Sequence, residues 1–499
     1  MFPKPRTDLV ANTADYERLP LVKPTGFREY DARWLFETEI NLLGIRALGL
    51  GIGTLLHKSG VEPRIVVGHD YRSYSASIKN ALITGLLGSG CTVYDIGLAL
   101  SPTAYFAQFD LDVPAVAMVT ASHNDNGWTG VKMGMARPLT FGPDEMSALK
   151  QLVLEAEFDM RGGGTLIMVD DMAERYMADL TSRAPVTRKL KVVAACGNGT
   201  AGAFAAQVLE GIGCDVVPLN CDLDHSFPNH NPNPEDLEML HALRDEVLAS
   251  GADIGVAFDG DGDRCGVVDN EGVEIFADKV GVLLARDISS RHENAQFVVD
   301  VKSTGLYLTD PVLKANGART DYWKTGHSYI KRRSHELGAI VGFEKSGHFF
   351  FNKPIGRGYD DGLVAAIAIC DMLDRAPDAS MADLRRSLPQ TWGSPTMSPH
   401  CADEVKYDVV ERVVRHFQQV AARSETIIGQ KIRELITVNG VRIVLKDGTW
   451  GLVRASSNKP ELVIVCESPT SEENMKAMFK NIDMYLSDFP EIGEYNQKI

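Results

Sequence analysis

The chain repeats one plan three times between residues 64 and 348, and this repetition restricts its fold more than any other feature. Each copy begins with an apolar, β-branched run, continues with a helix-like run and a second strand, and ends with a third apolar strand. The copies begin at RIVVGHD (64–70), KLKVVAACGNGTAG (189–202) and AQFVVDVKSTG (295–305), and they end at AVAMVTASHN (115–124), DIGVAFDGDGDR (253–264) and GAIVGFEKSGH (338–348). Apolar strands that alternate with helices predict largely parallel sheets covered on both faces. We therefore expect three similar, mixed α/β domains.

The chain follows a different plan from about residue 395 onward. VRIVLKDGTWGLVRASSNKPELVIVCES (441–468) is typical of antiparallel strands around a turn at 446–448, and SEENMKAMFKNIDMYL (471–486) is typical of a helix. This pattern predicts a smaller C-terminal α+β domain. The predicted domain boundaries are 1–186, 187–278, 279–394 and 395–499.

Charge and composition exclude several classes of protein. The 499 residues contain 51 Lys and Arg against 67 Asp and Glu, a formal net charge of −16, so we expect no nucleic-acid partner. The longest apolar runs, such as 363–370, are shorter than the ~20 residues that span a bilayer. The amino terminus has no apolar stretch of the kind found in signal peptides. Eight scattered cysteines without a CxxC pair suit reduced thiols, and we expect a cytoplasmic protein without a membrane partner.

Each third strand is followed by a polar loop, and the three loops contain SHN, DGDGDR and EKSGH. Ligands of α/β sheets bind beyond the carboxyl ends of the strands. If the three domains face a common centre, these loops meet there.

The DGDGDR loop is the strongest single signal. Asp259, Asp261 and Asp263 alternate with glycines, and carboxylates of this kind suit Mg²⁺, Mn²⁺ or Ca²⁺. An EF-hand is disfavoured, because Arg264 and Asn270 stand where that motif needs Gly and Glu. A solvated acidic turn is the structural alternative, and we interpret the segment as a metal loop.

The TASHN loop places Ser122 at the end of a buried strand, with His123 beside it and Lys132 downstream. A serine in this position is a candidate nucleophile, although such a turn is also typical of a hydrogen-bonded loop. A metal, a serine and Arg264 together suggest phosphoryl transfer.

Three segments have chemistry that suits a sugar phosphate. RASSNKP (454–460) combines cations, hydroxyls and an amide that could hold a phosphate, or it is simply an exposed loop. EKSGH offers hydrogen-bonding groups for sugar hydroxyls. KTGHSYIK (324–331) adds His327 and Lys331.

The segment GNGTAG (197–202) matches the GxGxxG pattern of dinucleotide-binding turns. It follows a first strand of the repeat, whereas the chemically rich loops follow the third strands. We therefore interpret the glycines as requirements of a tight turn.

Taken together, the motifs resemble the α-D-phosphohexomutase superfamily, most closely its phosphomannomutase/phosphoglucomutase branch. The resemblance runs from FREYDARW (27–34) to RASSNKP, with four motifs in the right order. It implies four domains around a central cleft, and an enzyme that moves a phosphoryl group between O1 and O6 of a hexose phosphate through a phosphoserine and a bisphosphorylated sugar. Mg²⁺ and glucose 1,6-bisphosphate or mannose 1,6-bisphosphate are the implied cofactor and activator.

The resemblance also implies roles for individual residues. Ser122 would be the phosphoserine, and Asp259, Asp261 and Asp263 would bind the metal together with it. Lys132, His123 and Arg264 would lie at the transfer, and Arg33 or His348 would move the proton. The substrate-binding residues would be Tyr30, Lys302, His327, Glu344, Ser346, Arg454, Ser456, Ser457 and Asn458.

The sequence departs from the family pattern at four positions in or next to the motifs. Asp125 replaces a usual Pro, Thr129 a frequent Asn, Trp34 a usual Gly, and Lys345 a common Met. Lys345 lies between the two residues expected to bind the sugar, so the choice between mannose and glucose stays open. A glucosamine phosphate is less favoured, because that branch usually has Gln at this position.

Two other functions suit the same residues. A metal-dependent sugar phosphatase with a serine nucleophile needs the same serine, metal and arginine, and a non-catalytic paralogue that binds sugar phosphates would keep the fold. We expect hexose phosphates as substrates and either a monomer or a homodimer.

Overall fold

The structure is a computed structural model that describes residues 2–182, 185–457 and 459–499. Its chain forms two compact units, Met1–Ala277 with Ser346–Ala382, and Asp278–Lys345 with Asp383–Ile499. In the described residues, no helix is both long enough and apolar enough to cross a membrane.

The first stretch of the chain forms a six-stranded sheet with the order β1-β5-β4-β2-β3-β6. Its elements are β1 (Ala32–Leu35), α1 (Leu42–Lys58), β2 (Arg64–His69), α2 (Ser75–Gly88), β3 (Thr92–Leu98), α3 (Ser101–Asp110), β4 (Ala115–Val119), β5 (Trp128–Gly134), α4 (Pro143–Glu155), β6 (Thr165–Met168) and α5 (Met172–Thr181).

The second stretch forms a five-stranded sheet with the order β11-β10-β9-β7-β8. Its elements are β7 (Lys191–Ala195), α6 (Ala205–Gly211), β8 (Asp215–Leu219), α7 (Leu237–Ser250), β9 (Ile254–Phe258), β10 (Cys265–Asp269) and β11 (Glu274–Ile275).

The third stretch begins with a helix and three strands of the second unit, and the chain then returns to the first unit. Its elements are α8 (Ala277–Ser289), β12 (Gln296–Asp300), α9 (Leu306–Thr309), α10 (Pro311–Ala315), β13 (Arg319–Trp323), α11 (His327–Leu337), β14 (Val341–Phe343), β15 (Phe349–Phe351), α12 (Gly362–Asp374) and α13 (Met381–Arg386).

The C-terminal stretch forms an antiparallel sheet of six strands, ordered β16-β21-β20-β19-β18-β17. Its elements are β16 (Trp392–Gly393), α14 (Lys406–Ala422), β17 (Thr426–Ile427), β18 (Gln430–Ile436), β19 (Val441–Leu445), β20 (Trp450–Ala455), β21 (Leu462–Ser468) and α15 (Glu472–Leu486). This confirms the predicted α+β class of the C-terminal region.

The threefold plan predicted from the sequence is present in the strand order. In each copy, the first strand lies between the third and the second, and all three are parallel: β4-β2-β3, β9-β7-β8 and β14-β12-β13. Every residue of β4, β9 and β14 is buried, as expected for strands covered on both faces. The three polar loops follow these strands, as predicted.

Two details differ from the sequence patterns. The serine and aspartate loops lead into antiparallel strands, since β4 pairs with β5 and β9 pairs with β10. The helix-like run after β12 is two short helices, because the Asp310 side chain caps the N–H groups of Val312 and Leu313 and Pro311 begins a new helix. The predicted domain boundaries and the central cleft stay predictions.

Candidate functional site

Ser122 lies in a strained and buried turn directly after β4. Its φ of 51° is in the left-handed region, which non-glycine residues rarely adopt, and its exposed fraction is 1%. Its hydroxyl donates to Asp259 Oδ2 at 2.8 Å, and its Oγ lies 3.3 Å from His123 Nδ1. The turn therefore holds the predicted nucleophile against the aspartate loop.

Asp70 and Arg72 hold the serine loop, and neither was singled out from the sequence. The Arg72 guanidinium donates to the carbonyls of Ser122 at 3.0 Å and Asn124 at 2.7 Å. Asp70 accepts from the Thr120 hydroxyl at 2.8 Å and from the Ala121 N–H at 3.3 Å. Asp70 directly follows the first strand of its repeat, and a polar residue at that position could have been found in the sequence.

The three aspartates of DGDGDR lie together and are fully buried. One oxygen of each carboxylate lies within 4.8 Å of the other two. Asp259 Oδ1 accepts from the backbone N–H of Asp263 at 3.1 Å and of Arg264 at 3.2 Å. A Cβ at Gly260 would lie 2.5 Å from the Ser122 carbonyl oxygen, so the glycine permits the close approach of the two loops.

Lys132 reaches the aspartates from β5, where it pairs with Met118 of β4. Its Nζ donates to Asp261 Oδ2 at 2.6 Å and also to Asp263 Oδ2. Burial would lower the pKa of Lys132, but the charges of these two carboxylates raise it well above its usual value. The Ser101 hydroxyl, at the start of α3, also donates to Asp261 Oδ2, at 2.5 Å.

The carboxylates differ in their affinity for protons. Burial, followed by the charges of Asp261 and Asp263, raises the pKa of Asp259 well above its usual value. Burial acts in the same direction on Asp261, but the Lys132 ammonium and the hydrogen bonds from Lys132 and Ser101 hold its pKa below the usual value. Opposed shifts of this kind reflect crowded negative charge in a dry site.

This group fits a hard divalent cation. Asp261 Oδ1 and Asp263 Oδ1 are buried and accept no hydrogen bond from the residues that the structure describes. Buried carboxylate oxygens that receive no hydrogen bond are costly unless a cation binds them. A second buried group, Asp263, His348 and Asp360, lies beside the first.

Arg264 and His348 lie beside the aspartate group, close to Asp259 and Asp263. Arg264 Nε donates to His348 Nε2 at 3.0 Å, and its Nη1 lies 3.2 Å from Glu235. His348 Nδ1 lies 3.1 Å from Asp360 Oδ2, so the imidazole lies between Arg264 and this carboxylate. Glu235 and Asp360 had no motif that pointed to them.

His123 and Arg33 complete the group around Ser122. Burial, followed by the charges of Arg264 and Arg33, lowers the pKa of His123 well below its usual value. Arg33 donates to Asp31 at 2.9 Å and to Asn124 Oδ1 at 2.5 Å. The structure thus brings together every residue predicted to lie at the transfer.

Two departures from the family pattern are explained by one contact in the sheet. Trp34 of β1 pairs with Thr129 of β5, on the face opposite to Arg33 and Lys132. The Trp34 indole is fully buried against Gly26 and donates to the Lys23 carbonyl at 2.8 Å. Both residues therefore belong to the core of the domain.

Two other predicted residues lie in the first unit. Tyr30 is buried, with an exposed fraction of 6%, and so is Ser346, at 9%.

The glycines of GNGTAG are explained by close packing, because a Cβ at Gly202 would lie 2.0 Å from the Cys221 carbonyl oxygen. This agrees with their interpretation as part of a tight turn.

In the second unit, three predicted substrate loops meet at Asp300, which the sequence did not single out. Asp300 accepts from the Lys345 N–H at 3.3 Å and the Thr325 hydroxyl at 3.0 Å, and it lies 4.0 Å from Lys302 Nζ. Glu344 accepts from the Gly326 N–H, next to the buried His327. Lys302, His327 and Glu344 therefore lie on neighbouring loops.

The predicted phosphate loop follows β20. Arg454 is buried and donates to the Ala455 carbonyl at 2.7 Å. Lys406, at the start of α14, donates to the carbonyls of Ser456 at 2.5 Å and Lys459 at 3.0 Å. Ser457 is partly exposed, and Asn458 lies outside the described residues. Lys406 therefore holds both sides of the loop.

The fold and the first site define an α/β enzyme suited to phosphoryl transfer, with a serine, a cation site and two basic side chains in one buried group. Four family models match the chain in order. They describe the α/β/α domains I, II and III and the C-terminal domain of phosphoglucomutase/phosphomannomutase, at residues 24–160, 174–272, 276–392 and 404–483.

Individual relatives agree with the family models. A phosphomannomutase/phosphoglucomutase of Pseudomonas syringae pv. tomato is 36% identical over 454 residues, covering 91% of this chain and 93% of that protein. A phosphoglucomutase of Neisseria gonorrhoeae is 31% identical over 459 residues, covering 91% and 96%. The crystal structure of a phosphoglucomutase/phosphomannomutase family protein from Burkholderia thailandensis matches with a TM-score of 0.84 and 30% identity, covering 94% of this chain and 98% of that one.

The chain belongs to the phosphoglucomutase/phosphomannomutase family. The resemblance, the fold class and the enzyme class expected from the motifs are confirmed.

Proposed function

We propose that this protein catalyses reversible phosphoryl transfer between O1 and O6 of a hexose phosphate, through a phosphoserine at Ser122 and a bisphosphorylated sugar. The observation that carries the proposal is the position of Ser122 Oγ, 2.8 Å from Asp259 in a buried group of carboxylates and cations. Such a group can neutralise the charge on a transferred phosphoryl group. The names of the relatives support glucose and mannose phosphates as substrates.

Asp259, Asp261 and Asp263 would hold Mg²⁺ together with an oxygen of phosphorylated Ser122. When bound, the ion offsets negative charge on the phosphoryl oxygens. Lys132 and Arg264 supply positive charge from the protein itself, on two sides of the aspartates. Preorganised charge of this kind costs no rearrangement during the reaction.

In the first transfer, a hydroxyl of the sugar attacks the phosphorus of phosphorylated Ser122. The bond from phosphorus to Oγ breaks as the bond to the sugar oxygen forms. The proton of the sugar hydroxyl ends on Oγ, and His348 or Arg33 is the candidate group for this proton transfer. The bisphosphorylated sugar then turns over, and its other phosphate returns to Ser122.

The remaining predicted residues, most of them on loops of the second unit, would bind the sugar phosphate. Arg454, Ser456, Ser457 and Asn458 would hold the phosphate that does not react, and Glu344 with Ser346 would contact sugar hydroxyls. Tyr30, Lys302 and His327 would bind the remainder of the substrate. Cation-rich loops of this kind bind phosphate through charge-assisted hydrogen bonds.

Glucose 1,6-bisphosphate or mannose 1,6-bisphosphate would activate the enzyme by phosphorylating Ser122. We place the reaction in the cytoplasm, in line with eight cysteines that are all free thiols in the structure. The four domains would follow the boundaries predicted from the repeats.

The test supplies the protein and Mg²⁺ with glucose 1-phosphate or mannose 1-phosphate and a trace of the matching bisphosphate. We expect the 6-phosphate to form without release of inorganic phosphate. Rapid phosphate release without an isomer would show a phosphatase instead. An intact mass without any phosphorylated fraction, even after exposure to the bisphosphate, would show a binding protein.

A further inference from the structure

The loop that carries Lys302 is held by residues of the C-terminal sheet, within the second unit. Arg442 of β19 donates from one nitrogen, Nη1, to the carbonyl of Val301 at 2.8 Å and of Ser303 at 2.6 Å. These are the carbonyls on either side of Lys302. One guanidinium therefore fixes the backbone before and after the residue proposed to bind substrate.

Arg442 is itself held rigidly. Its exposed fraction is 2%, and its guanidinium carbon lies 3.6 Å from the centre of the Trp450 ring and 4.3 Å from that of Tyr322. The Tyr322 hydroxyl donates to the Thr304 carbonyl at 2.5 Å, in the same loop. A stacked guanidinium has few alternative positions, so it can set the geometry of the atoms that it binds.

Glu467 holds the other half of the loop. It accepts from the Thr304 hydroxyl at 3.0 Å, from the Gly305 N–H at 2.8 Å and from Trp450 Nε1 at 3.0 Å. Lys279 Nζ lies 3.0 Å from its second oxygen. The segment 301–305 is therefore bound at both ends by the C-terminal sheet.

The same face of that sheet carries the predicted phosphate residue. Arg442 pairs with Leu452 of β20, and Arg454 lies two residues further along the same strand. Side chains two residues apart on a strand share a face, so Arg442 and Arg454 project from one side of β19 and β20. The neighbours Val441 and Ile443 project from the other side, into the hydrophobic core.

We propose that Arg442 is a positioning residue for the mutase reaction: it presents Lys302 to the substrate and sets its place relative to Arg454. This inference rests on the proposed function, because it takes Lys302 as a contact of the sugar phosphate. Arg442 acts through the backbone of residues 301–303. Arg442 thereby ties the loop after β12 to the same sheet that carries the phosphate loop.

A double-mutant cycle tests the inference in the full-length protein. We would measure kcat and KM for wild type, Arg442→Met, Lys302→Met and the double variant. Methionine removes the two hydrogen bonds and keeps an apolar side chain against Trp450. Because a misplaced binding group loses much of its effect on the rate, we expect Arg442→Met to lower kcat/KM by about tenfold or more in the wild-type background.

In the Lys302→Met background, the same substitution should change kcat/KM by less than about twofold, since the two residues act as one unit. An equal loss in both backgrounds would show that Arg442 acts independently of Lys302 and would overturn the inference. Unchanged kcat/KM in Lys302→Met would also overturn it, whereas absence of any isomerisation by wild type would refute the proposed function itself.

Two further variants keep the test decisive. Arg442→Lys retains the charge and should recover part of the kcat/KM that Arg442→Met loses. If Arg442→Met does not fold, the cycle is repeated with Arg442→Lys. Arg412→Met is the matched control, because Arg412 lies in α14, pairs with Glu491 at 2.5 Å and stacks on Phe489 at 4.7 Å. It should lower thermal stability and leave kcat/KM within about twofold of wild type.

Discussion

The Ser122 loop and the Glu344 loop follow the third strands of two copies of the same repeat, yet they are built for different tasks. In the first, buried carboxylates and cations face one another, and Lys132 and Arg264 offset the charge of the aspartates. In the second, carboxylates hold backbone groups: Glu344 accepts from the Gly326 N–H, and Asp300 accepts from the Lys345 N–H. One topology thus supplies a charge-handling centre around Ser122 and a second centre around Asp300, which we propose orients the substrate and call the orienting centre.

The two loops share an anchor despite this difference. Asp70, after β2, accepts from the N–H of Ala121, and Asp300, at the end of β12, accepts from the N–H of Lys345. Both pairs join the end of the first strand to the second residue after the third strand. The repeat therefore preserves the support of the loop while its chemical groups change.

The sharpest way to separate the two centres is Ser122→Ala. Without the hydroxyl there is no phosphoryl carrier, and we expect kcat to fall at least about 10³-fold while binding of a sugar phosphate stays measurable by calorimetry. Ser101→Ala is the control, because its hydroxyl also bonds to the aspartates, and its loss should be far smaller. Turnover of Ser122→Ala at the wild-type rate would place the nucleophile elsewhere.

The second prediction concerns Glu467, which supports the Lys302 loop, and the loss of its stabilising effect at acidic pH. Burial would raise the pKa of Glu467, but Lys279 and the bonds from Gly305 and Trp450 lower it to about 2. A carboxylate with a lowered pKa stabilises the fold above its ordinary pKa of 4.5, and this contribution, roughly 3 kcal/mol, is lost as the pH falls toward 2.

Glu467→Gln should therefore lower the melting temperature strongly near neutral pH and much less near pH 3, as measured by thermal unfolding at both values. The control is Glu472→Gln, which removes an exposed pair with Lys476 and should change the melting temperature little at either pH. A difference between wild type and Glu467→Gln that did not shrink in acid would contradict the role of the ionised carboxylate.

The third prediction concerns the phosphate loop. Lys406→Met removes the ammonium that binds the carbonyls of Ser456 and Lys459, and we expect KM for the sugar phosphate to rise about tenfold with a smaller change in kcat. Lys431→Met removes an exposed lysine of β18 and serves as the control. A change confined to kcat would contradict a role of Lys406 in holding the loop that binds substrate.

The smallest expected effect is at Lys345. Its N–H is fixed by Asp300, so its side chain can vary without loss of the loop. Lys345→Met should change the ratio of kcat/KM for mannose and glucose 1-phosphates by about threefold, with turnover retained. Measuring both substrates side by side decides this, and an unchanged ratio would exclude Lys345 from sugar selection.

Much of the site was predictable because its residues stand in local patterns. Asp259, Asp261 and Asp263 alternate with glycines after a buried strand, and Ser122 occupies the matching loop of the first repeat. Asp70 and Asp300 could have been found by comparing the ends of the first strands. Arg72, Lys406 and Arg442 could not, because each binds backbone carbonyls, which every residue has.

The amino-acid sequence alone determined the order of strands and helices, the threefold repeat and the polar loops at the strand ends. Hydrophobic periodicity encodes these features locally, because burial and backbone geometry repeat over a few residues. Only the tertiary structure decided that Ser122 bonds to Asp259, 137 residues away, and that Arg442 holds the Lys302 loop. Such contacts depend on how whole sheets pack and on backbone atoms that carry no sequence signal.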